Sequence, residues 1–296
     1  MSVLDGPRQE KRRIQISGEA VWATMSEDGM LILEDGSSVS ENEVTHLPPC
    51  VATKIICPHL TYTSRGIESR NKPQPTPYPT YFMKPVTALN GHRGVIVKPE
   101  DCQYLNYEGE FAAVIGKETK NITPEEAWDH IAGFAPALDM GLHDFRDTDS
   151  GSMLRVKGGD GMCPLGPGLV AGIDPREQTL RTYRNGQLVQ EANIGEELVW
   201  GPDYMIADLA RHITLMPGDV VLTGTPCHSR SLEVGDFIEV EITQLGRLSM
   251  TVVSGSTPRA TVGHQPTDSE EVRRVALGND SRVPDRFKEN YREASK

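Results

Sequence analysis

The chain has 296 residues, a formal net charge of −12 at pH 7 and a sequence pI of about 5.2, which argues against nucleic acid or an anionic membrane as its main partner. Hydrophobic residues make up 37% of the sequence and charged residues 24%, as in a soluble protein that is long enough to bury a sizeable core. No run of about 18 apolar residues is present, so we predict neither a membrane span nor a signal peptide.

The first 50 residues predict a small N-terminal β unit. Asp28-Gly29 between alternating runs is a hairpin signal, and Pro48-Pro49 marks a candidate boundary. Three short β-prone runs lie in this unit: 13–16, 20–24 and 30–33.

The next two segments differ in regularity. Residues 64–79 are polar and rich in proline, which predicts a surface loop, with a lid over a catalytic site as the functional interpretation. Thr123-Pro124-Glu125-Glu126 carries a capping box and predicts a helix that continues to about Gly133.

The second half of the chain predicts one helix and several strands. Residues 202–212 carry apolar side chains at helical spacing. Strands are predicted over 220–223, 237–242 and 248–253. Residues 257–296 are polar and end in a charged segment compatible with a helix over 286–296. We predict a solvated or partner-contacting C-terminal extension without a role in chemistry.

The cysteines indicate a reducing compartment. There are five, an odd number without Cys-x-x-Cys spacing, which predicts free thiols in a cytoplasmic protein rather than disulfides or a zinc site. Cys163 could border a pocket, although a buried and unreactive thiol is the simpler interpretation.

Three carboxylates form the candidate metal site. Glu108 and Glu110 stand at the head of a β-prone run, where alternate side chains share one face, and Asp139 lies in a second apolar segment downstream. Neighbouring anions are tolerated when water screens them or a cation lies between them. Converging carboxylates would suit Mg²⁺ or Mn²⁺. The alternative is that Glu108 and Glu110 line the solvated face of an edge strand.

The run Tyr107-Glu-Gly-Glu110 that continues to Val-Ile-Gly-Lys117 resembles the fumarylacetoacetate hydrolase family. Further segments resemble it in the same order: 133–144, 157–168, 183–186, 216–226 and 232–236. The resemblance implies an α+β, mainly β fold, a mixed β-sandwich roll. It places the catalytic domain over 51–256, between the N-terminal unit (1–50) and the extension (257–296), and it implies a homodimer.

The resemblance also implies a 2-oxo acid substrate. A divalent cation can chelate the carboxylate and keto oxygens of such an acid and stabilise its enolate. Lys157 would bind substrate oxygen or stabilise the enolate, with a surface lysine as the alternative. Thr225 resembles the threonine that holds the substrate carboxylate in family members, with a plain turn as the alternative. A second substrate carboxylate is indicated by four basic residues, Arg65, Arg70, Lys72 and Arg146. The alternative is that they are solvated lid residues.

The base is the part of the pattern that departs from the family. Its hydrolases often use a His–Glu pair to activate water, and here Arg65 stands in place of the histidine, where it stays protonated. Glu68 could act alone if burial raised its pKa. His143, oriented by Asp144, is a candidate replacement base, although a structural histidine is the default. His59 is a weaker candidate.

These observations lead to three hypotheses. The first is a metal-dependent hydrolase that cleaves a C–C bond in an acylpyruvate-like 2-oxo acid through a metal-stabilised enolate, with Glu68 or His143 activating water. The second is a decarboxylase or isomerase of a 2-oxo or 2-hydroxymuconate-type acid in aromatic catabolism, which uses the same enolate without attack by water. The third is a catalytically silent binding protein on the same fold.

Overall fold

The structure, a computed structural model, describes residues 2–282. Strands account for 36% of the residues and helices for 17%, so the prediction of a mainly β, α+β fold is confirmed. In the described part of the chain, no helix has both the length and the apolar content needed to cross a bilayer.

The strands are short and follow one another closely along the chain. They are β1 (Gln9–Ile16), β2 (Glu19–Met25), β3 (Met30–Leu33), β4 (Ser38–Ser40), β5 (Thr45–Leu47), β6 (Ile55–Pro58), β7 (Tyr81–Lys84), β8 (Leu89–Asn90), β9 (Val95–Lys98), β10 (Leu105–Asn106), β11 (Gly109–Ile115), β12 (Ile131–Leu138), β13 (Gly141–Leu142), β14 (Cys163–Pro164), β15 (Leu169–Ala171), β16 (Thr179–Arg184), β17 (Gln187–Asn193), β18 (Val220–Leu222), β19 (Ser231–Leu232), β20 (Phe237–Ile242) and β21 (Gly246–Ser254).

The helices are also short, and most lie between strands. They are α1 (Thr63–Arg70), α2 (Pro124–Ala127), α3 (Leu154–Lys157), α4 (Ile194–Glu197), α5 (Pro202–Ala210) and α6 (Glu270–Ala276). Single 3₁₀ turns are formed by Val86–Ala88, His143–Phe145, Pro175–Glu177 and Asp280–Arg282.

Two packed sheets carry the core. The larger sheet has the strand order β4-β3-β2-β1-β15-β12-β11-β18-β6-β7, with β5 paired to β1. The second has the order β17-β16-β20-β21-β9, and its strands β16, β20 and β21 contact β11 and β12. Every residue of β11 is buried, and its Phe111 packs edge-on against Phe134 of β12 at 6.2 Å between ring centroids. Burial on both faces explains why β11 reads as a continuous apolar run.

The N-terminal strands form a small unit that is joined to the rest of the large sheet. Ile14, Ala23 and Leu31 form a separate small core there, and β1 pairs antiparallel with β15. The sheet therefore continues across the joint, and the domain boundary at residue 50 stays a prediction.

Several predicted elements agree with the structure. Strands β18, β20 and β21 and helix α5 lie where the sequence places them. The capping box of α2 is formed, with the Thr123 hydroxyl accepting from the amide of Glu126 and the Glu126 carboxylate accepting from the amide of Thr123. The predicted helix over 286–296 lies outside the described residues.

Two element predictions were wrong. Helix α2 ends at Ala127 rather than near Gly133, because Ile131 already pairs with Ile115 of β11 and is buried in the sheet. Residues 63–70 are helical rather than looped, because the prolines of the segment begin only at Pro73 and leave α1 free of them.

Candidate active site

Glu108, Glu110 and Asp139 converge at one point of the fold. One carboxylate oxygen of each lies within 4.8 Å of those of the other two. Glu110 belongs to β11 and Glu108 immediately precedes this strand, while antiparallel pairing with β12 carries Asp139 beside Glu108. The Asp139 amide donates to the Glu108 carbonyl at 2.9 Å. Because β11 lies between β12 and β18 in the interior of the sheet, the alternative of a solvated edge strand was wrong.

Two glycines permit this close packing around Glu110. A Cβ atom on Gly109 would lie 2.0 Å from the hydroxyl of Thr182, so only glycine fits between the two glutamates. Gly224 has a φ of +86° and its amide donates to Glu110 Oε2 at 2.7 Å. Both glycines therefore allow the close packing around the three carboxylates Glu108, Glu110 and Asp139, here called the carboxylate cluster.

Two buried lysines flank the carboxylate cluster. Lys157, at the end of α3, donates from Nζ to Glu108 Oε2 at 2.7 Å and lies 2.8 Å from Asp139 Oδ2. Lys84, at the end of β7, donates to Asp139 Oδ1 at 2.5 Å and to the carbonyl of Met162 at 2.8 Å. The structure thus brings the predicted Lys157 to the cluster, together with Lys84, which was not among the predicted site residues.

The electrostatics of the carboxylate cluster suit a divalent cation. Burial, and then the neighbouring Asp139 and Glu108, raise the pKa of Glu110 well above its ordinary value. Burial acts in the same direction on Glu108, but Lys157 and Arg65 outweigh it and lower the pKa of Glu108. A divalent cation among the three oxygens would offset the repulsion that acts on Glu110. An all-carboxylate donor set matches the preference of Mg²⁺ or Mn²⁺.

Glu68 is fully engaged by cations and a backbone amide. Arg65 donates to Glu68 Oε2 at 2.6 Å, Arg230 donates to Glu68 Oε1 at 2.7 Å, and the His228 amide donates to Oε2 at 3.1 Å. Burial would raise the pKa of Glu68, but Arg65 and Arg230 outweigh it and lower the pKa. The raised pKa that a lone carboxylate base requires is therefore absent.

His143 differs from Glu68 because it is buried without partners. Neither ring nitrogen has a hydrogen-bond partner within residues 2–282. Burial, and then the positive charges of Lys157, Arg146 and Arg65, lower its pKa well below the ordinary value. His143 is consequently an uncharged imidazole on the pocket wall.

The predicted pairing of His143 with Asp144 was wrong. The carboxylate of Asp144 accepts instead from the backbone amides of Gln103 at 2.7 Å and Tyr104 at 2.9 Å. Because this carboxylate serves the neighbouring backbone, it does not orient the imidazole. The weaker candidate His59 also lines the pocket, and burial lowers its pKa.

A cavity of about 1070 Å³ opens over the carboxylate cluster. Arg65, Arg146 and Thr225 all line it, as do Glu68 and His143, so every predicted site residue except the buried Asp139 faces this cavity. The Thr225 hydroxyl accepts from Gln190 Nε2 at 3.0 Å. Part of the proline-rich segment lines the cavity too, as the lid prediction requires. The lid itself stays a prediction.

Two sets of residues around the site were missed from the sequence. Arg230 reaches Glu68 from 162 positions downstream, and helix α6 of the C-terminal extension adds Glu271 and Arg274 to the pocket wall. Glu271 and Arg274 lie in a polar tail that resembles no catalytic motif.

The sequence also predicted a buried, unreactive Cys163, and burial indeed raises the pKa of this thiol to about 12.

Comparison with known proteins identifies the family. The family model described as "Fumarylacetoacetate (FAA) hydrolase C-terminal" matches residues 54–253. The chain belongs to the fumarylacetoacetate hydrolase family. The match covers both carboxylate-bearing segments, which confirms the resemblance found in the sequence.

Relatives within the fumarylacetoacetate hydrolase family carry out different reactions. A mitochondrial oxaloacetate tautomerase of Xenopus laevis is 36% identical over 73% of this chain and 70% of its own length. The 4-hydroxyphenylacetate degradation bifunctional isomerase/decarboxylase of Escherichia coli is 34% identical over 68% of this chain. The match to that bifunctional enzyme spans 47% of its length. Family membership therefore indicates an enzyme without fixing the reaction.

A solved structure confirms the family fold. The 5-carboxymethyl-2-hydroxymuconate delta-isomerase of Mycobacterium smegmatis superposes with a TM-score of 0.75 at 29% identity. The likeness covers 83% of this chain and all of that one. The predicted β-sandwich roll is thereby confirmed.

Proposed function

We propose that this protein is a metal-dependent enzyme that forms the enolate of a 2-oxo acid and either isomerises or decarboxylates it. Glu108, Glu110 and Asp139 would hold Mg²⁺ or Mn²⁺, because these three carboxylates converge and Glu110 forms no ion pair with a lysine or arginine within residues 2–282. A bound divalent cation would supply Lewis acidity toward the carboxylate and keto oxygens of the substrate.

The state of Glu68 is the observation that favours isomerisation or decarboxylation over hydrolysis. Hydrolysis needs a base that takes a proton from water, and both oxygens of Glu68 already accept charge-assisted hydrogen bonds from Arg65 and Arg230. Such bonds lower the basicity of a carboxylate. The tautomerase and the isomerase/decarboxylase among the relatives are consistent with this preference.

The remaining pocket residues bind the substrate and move protons. Lys157 presents a buried ammonium beside the carboxylate cluster and would stabilise negative charge that develops on a substrate oxygen. Thr225 would donate its hydroxyl hydrogen to the substrate carboxylate, since the hydroxyl oxygen already accepts from Gln190. His143, whose ring nitrogens have no partner within residues 2–282, can exchange a proton with C3 of the substrate.

Hydrolysis of an acylpyruvate-like C–C bond, the first expectation from the sequence, is the second candidate function. His143 supports it, because its ring nitrogens have no partner within residues 2–282 and it lines the pocket, where it can face a water molecule. In this case Glu68 would orient Arg65 and would not act as the base.

Turnover in deuterated water tests these two candidates. The full-length protein with Mg²⁺ or Mn²⁺ is incubated with oxaloacetate and a small panel of acylpyruvates, and the products are followed by NMR. We expect deuterium at C3, accelerated keto–enol exchange or release of CO₂, all abolished by EDTA. Cleavage into two acids would establish hydrolysis instead. If the metal-loaded protein changed none of these acids, the enzyme proposal would be wrong.

Variants of His143 separate its role from a general effect of mutation. His143→Gln should lower the rate of C3 exchange by about 100-fold if the imidazole carries the proton. His212→Gln, at an exposed histidine outside the pocket wall, should leave the rate unchanged.

Two further expectations belong to the proposal. A homodimer is expected from the family resemblance, and the five free, buried cysteines support the predicted cytoplasmic setting.

A further inference from the structure

The C-terminal extension, which lies beyond the family match, is packed on the catalytic part. The Thr267 amide donates to the carbonyl of Asp144 at 2.9 Å, and Asn106 Nδ2 donates to the carbonyl of Ala276 at 2.7 Å. Residues 267–282 are therefore packed structure and not the solvated tail that the sequence predicted.

Gly278, which follows helix α6, crosses directly over a buried ion pair of the catalytic part. This pair joins Glu68 and Arg230, and both side chains are buried. Gly278 has a φ of +64°, and a Cβ atom on it would lie 2.3 Å from Nη1 of Arg230 and 2.7 Å from Oε1 of Glu68. Because the two buried side chains cannot swing aside without losing their packing, only glycine fits at this crossing.

Arg282 ties the same segment to the end of helix α1. Its Nη1 donates to the carbonyl of Glu68 at 3.1 Å and to that of Ile67 at 3.3 Å. The last carbonyls of a helix have no donor within the helix, so a cation with N–H donors stabilises this end. Helix α1 has only eight residues, too few to be stable by itself in water. Its position therefore depends on such contacts with the rest of the protein.

Helix α1 carries the charged groups that connect this segment to the carboxylate cluster. Arg65 donates from Nη1 to Glu68 Oε2 at 2.6 Å, and its Nη2 lies 3.5 Å from Glu108 Oε1. On the other side, Arg230 donates to Glu68 Oε1 at 2.7 Å. Charges of alternating sign thus run from the contact at Gly278 to one member of the cluster. A shift of α1 would move Arg65 away from Glu108.

We propose that the C-terminal extension holds helix α1 in place and thereby keeps Arg65 beside Glu108 during turnover. Gly278 and Arg230 are positioning residues in this arrangement, because they act through Glu68 and Arg65 and not on the substrate. The effect on turnover rests on the proposed function, whereas the hold on α1 can be measured without any substrate. It matters for the rate because a misplacement of about 1 Å near the reacting centre can cost about 100-fold.

Two alanine substitutions in the extension form a matched pair. Gly278→Ala places a Cβ atom on the ion pair. Gly263 has a φ of +71°, and no atom of residues 2–282 lies within 4 Å of its Cβ position, so Gly263→Ala adds similar backbone strain in open space. Hydrogen–deuterium exchange is followed by mass spectrometry on the full-length proteins. We expect the amides of α1 to exchange about tenfold faster in Gly278→Ala than in the wild type, and at the wild-type rate in Gly263→Ala.

Turnover should follow the same pattern. The rate is measured with saturating Mn²⁺ on the 2-oxo acid that the wild-type protein converts. We expect kcat to fall about tenfold in Gly278→Ala, because Arg65 no longer stays beside Glu108, and to remain normal in Gly263→Ala.

Arg230→Lys tests whether the two positioning residues act through one contact. Lysine keeps the positive charge beside Glu68 but lacks the Nη1 atom that a Cβ on residue 278 would meet. If the contact is shared, the fall in kcat in the double variant Gly278→Ala/Arg230→Lys is smaller than the product of the two single effects. Independent losses of stability would give the full product.

Arg282→Gln is a milder variant, because it leaves the buried ion pair intact. It should speed the exchange of the α1 amides about threefold, since two hydrogen bonds to the end of the helix are lost. Arg259→Gln, at an exposed arginine of the same extension, should exchange like the wild type.

Unchanged exchange of α1 in Gly278→Ala would refute the hold on this helix, and so would equal effects of Gly278→Ala and Gly263→Ala. Faster exchange with a normal kcat, or the full product in the double variant, would refute the positioning role. If the wild-type protein converts no 2-oxo acid, the proposed function fails, while the exchange of α1 still decides whether the extension holds the helix.

Discussion

Two clusters of charged side chains in this protein follow opposite arrangements. At the joint of the N-terminal unit, charges alternate in sign: Arg12 contacts both Glu10 and Glu41, and Glu41 also accepts from Arg93 at 2.6 Å. Each anion there has a cation beside it. Such a network can hold two parts of a chain together without any ligand.

The carboxylate cluster instead brings like charges together. Glu110 has two carboxylates as neighbours, and its direct hydrogen bond comes from the Gly224 amide rather than from a lysine or arginine. Lys84 and Lys157 pair with Asp139 and Glu108. Charge sign distinguishes the two clusters. Opposite charges alternate at the joint and can stabilise the fold by themselves, whereas like charges converge in the carboxylate cluster, as expected where a further cation is to bind.

Removing one carboxylate gives the strongest test of this distinction. Glu110→Gln should weaken Mn²⁺ binding by at least about 100-fold, because a ligand is lost. It should not lower the unfolding temperature of the protein in EDTA, because the repulsion is lost too. Calorimetric titration and thermal denaturation measure the two effects. Exposed Glu118 provides the control variant Glu118→Gln, and unchanged Mn²⁺ affinity in Glu110→Gln would show that the carboxylate cluster is not the metal site.

Substitution of Lys157 tests whether the lysines that flank the carboxylate cluster take part in catalysis. Lys157→Met should reduce kcat by about 100-fold, as expected when one donor to a developing negative charge is removed. Steady-state kinetics with saturating Mn²⁺ measure the loss. Lys117→Met, at an exposed lysine, should have normal kcat. A Lys157→Met enzyme with full activity would mean that this lysine only balances charge.

Arg12 tests the alternating network. Its side chain is 10% exposed and touches two carboxylates, so Arg12→Gln should cost about 2 kcal/mol in the free energy of unfolding. Arg93→Gln, at an arginine that is 40% exposed, should cost no more than about 1 kcal/mol. Urea denaturation measures both. Metal affinity should be the same as in the wild type, and a loss of it would contradict the separation of the two clusters.

His92 gives a pH dependence at the joint. Burial, and then His46, Arg12 and Arg93, lower its pKa to about 3, whereas an unfolded histidine has a pKa of about 6.5. Below about pH 6.5 the unfolded chain binds a proton that the folded chain does not, so stability is lost as pH falls from 6.5 toward 3, by at most about 1.4 kcal/mol per pH unit.

The matched variant isolates this histidine. The free energy of unfolding of His92→Gln should fall less steeply between pH 6.5 and 5 than that of the wild type, as measured by urea denaturation at each pH. His212→Gln should keep the wild-type slope. Equal slopes in all three proteins would assign the acid sensitivity to other groups.

The sequence predicted the convergence of the three carboxylates better than the surroundings of Glu68. Glu108 and Glu110 could be recognised because alternation in a strand is a local rule, and Asp139 because it ends the neighbouring apolar run. The two arginines that donate to Glu68 could not both be recognised from local sequence patterns. Arg65 lies in the same helix, but Arg230 comes from a distant loop without a local signature.

Local signals failed where tertiary pairing decided the structure. The capping box correctly marks the start of α2, but sheet pairing of Ile131 ends the helical region early. The contact of Asp144 with the amides of Gln103 and Tyr104 joins separate loops, which sequence proximity to His143 could not predict.

The hydrogen bonds between the two ends of the pocket wall have a consequence for biosynthesis. Arg282 donates to the backbone carbonyls of Ile67 and Glu68 at the end of α1. On the ribosome, all three residues of the carboxylate cluster are synthesised well before Arg274 and Arg282. A nascent chain can therefore form the half of the pocket that carries this cluster early, and the pocket becomes complete only when the last part of the described chain has emerged.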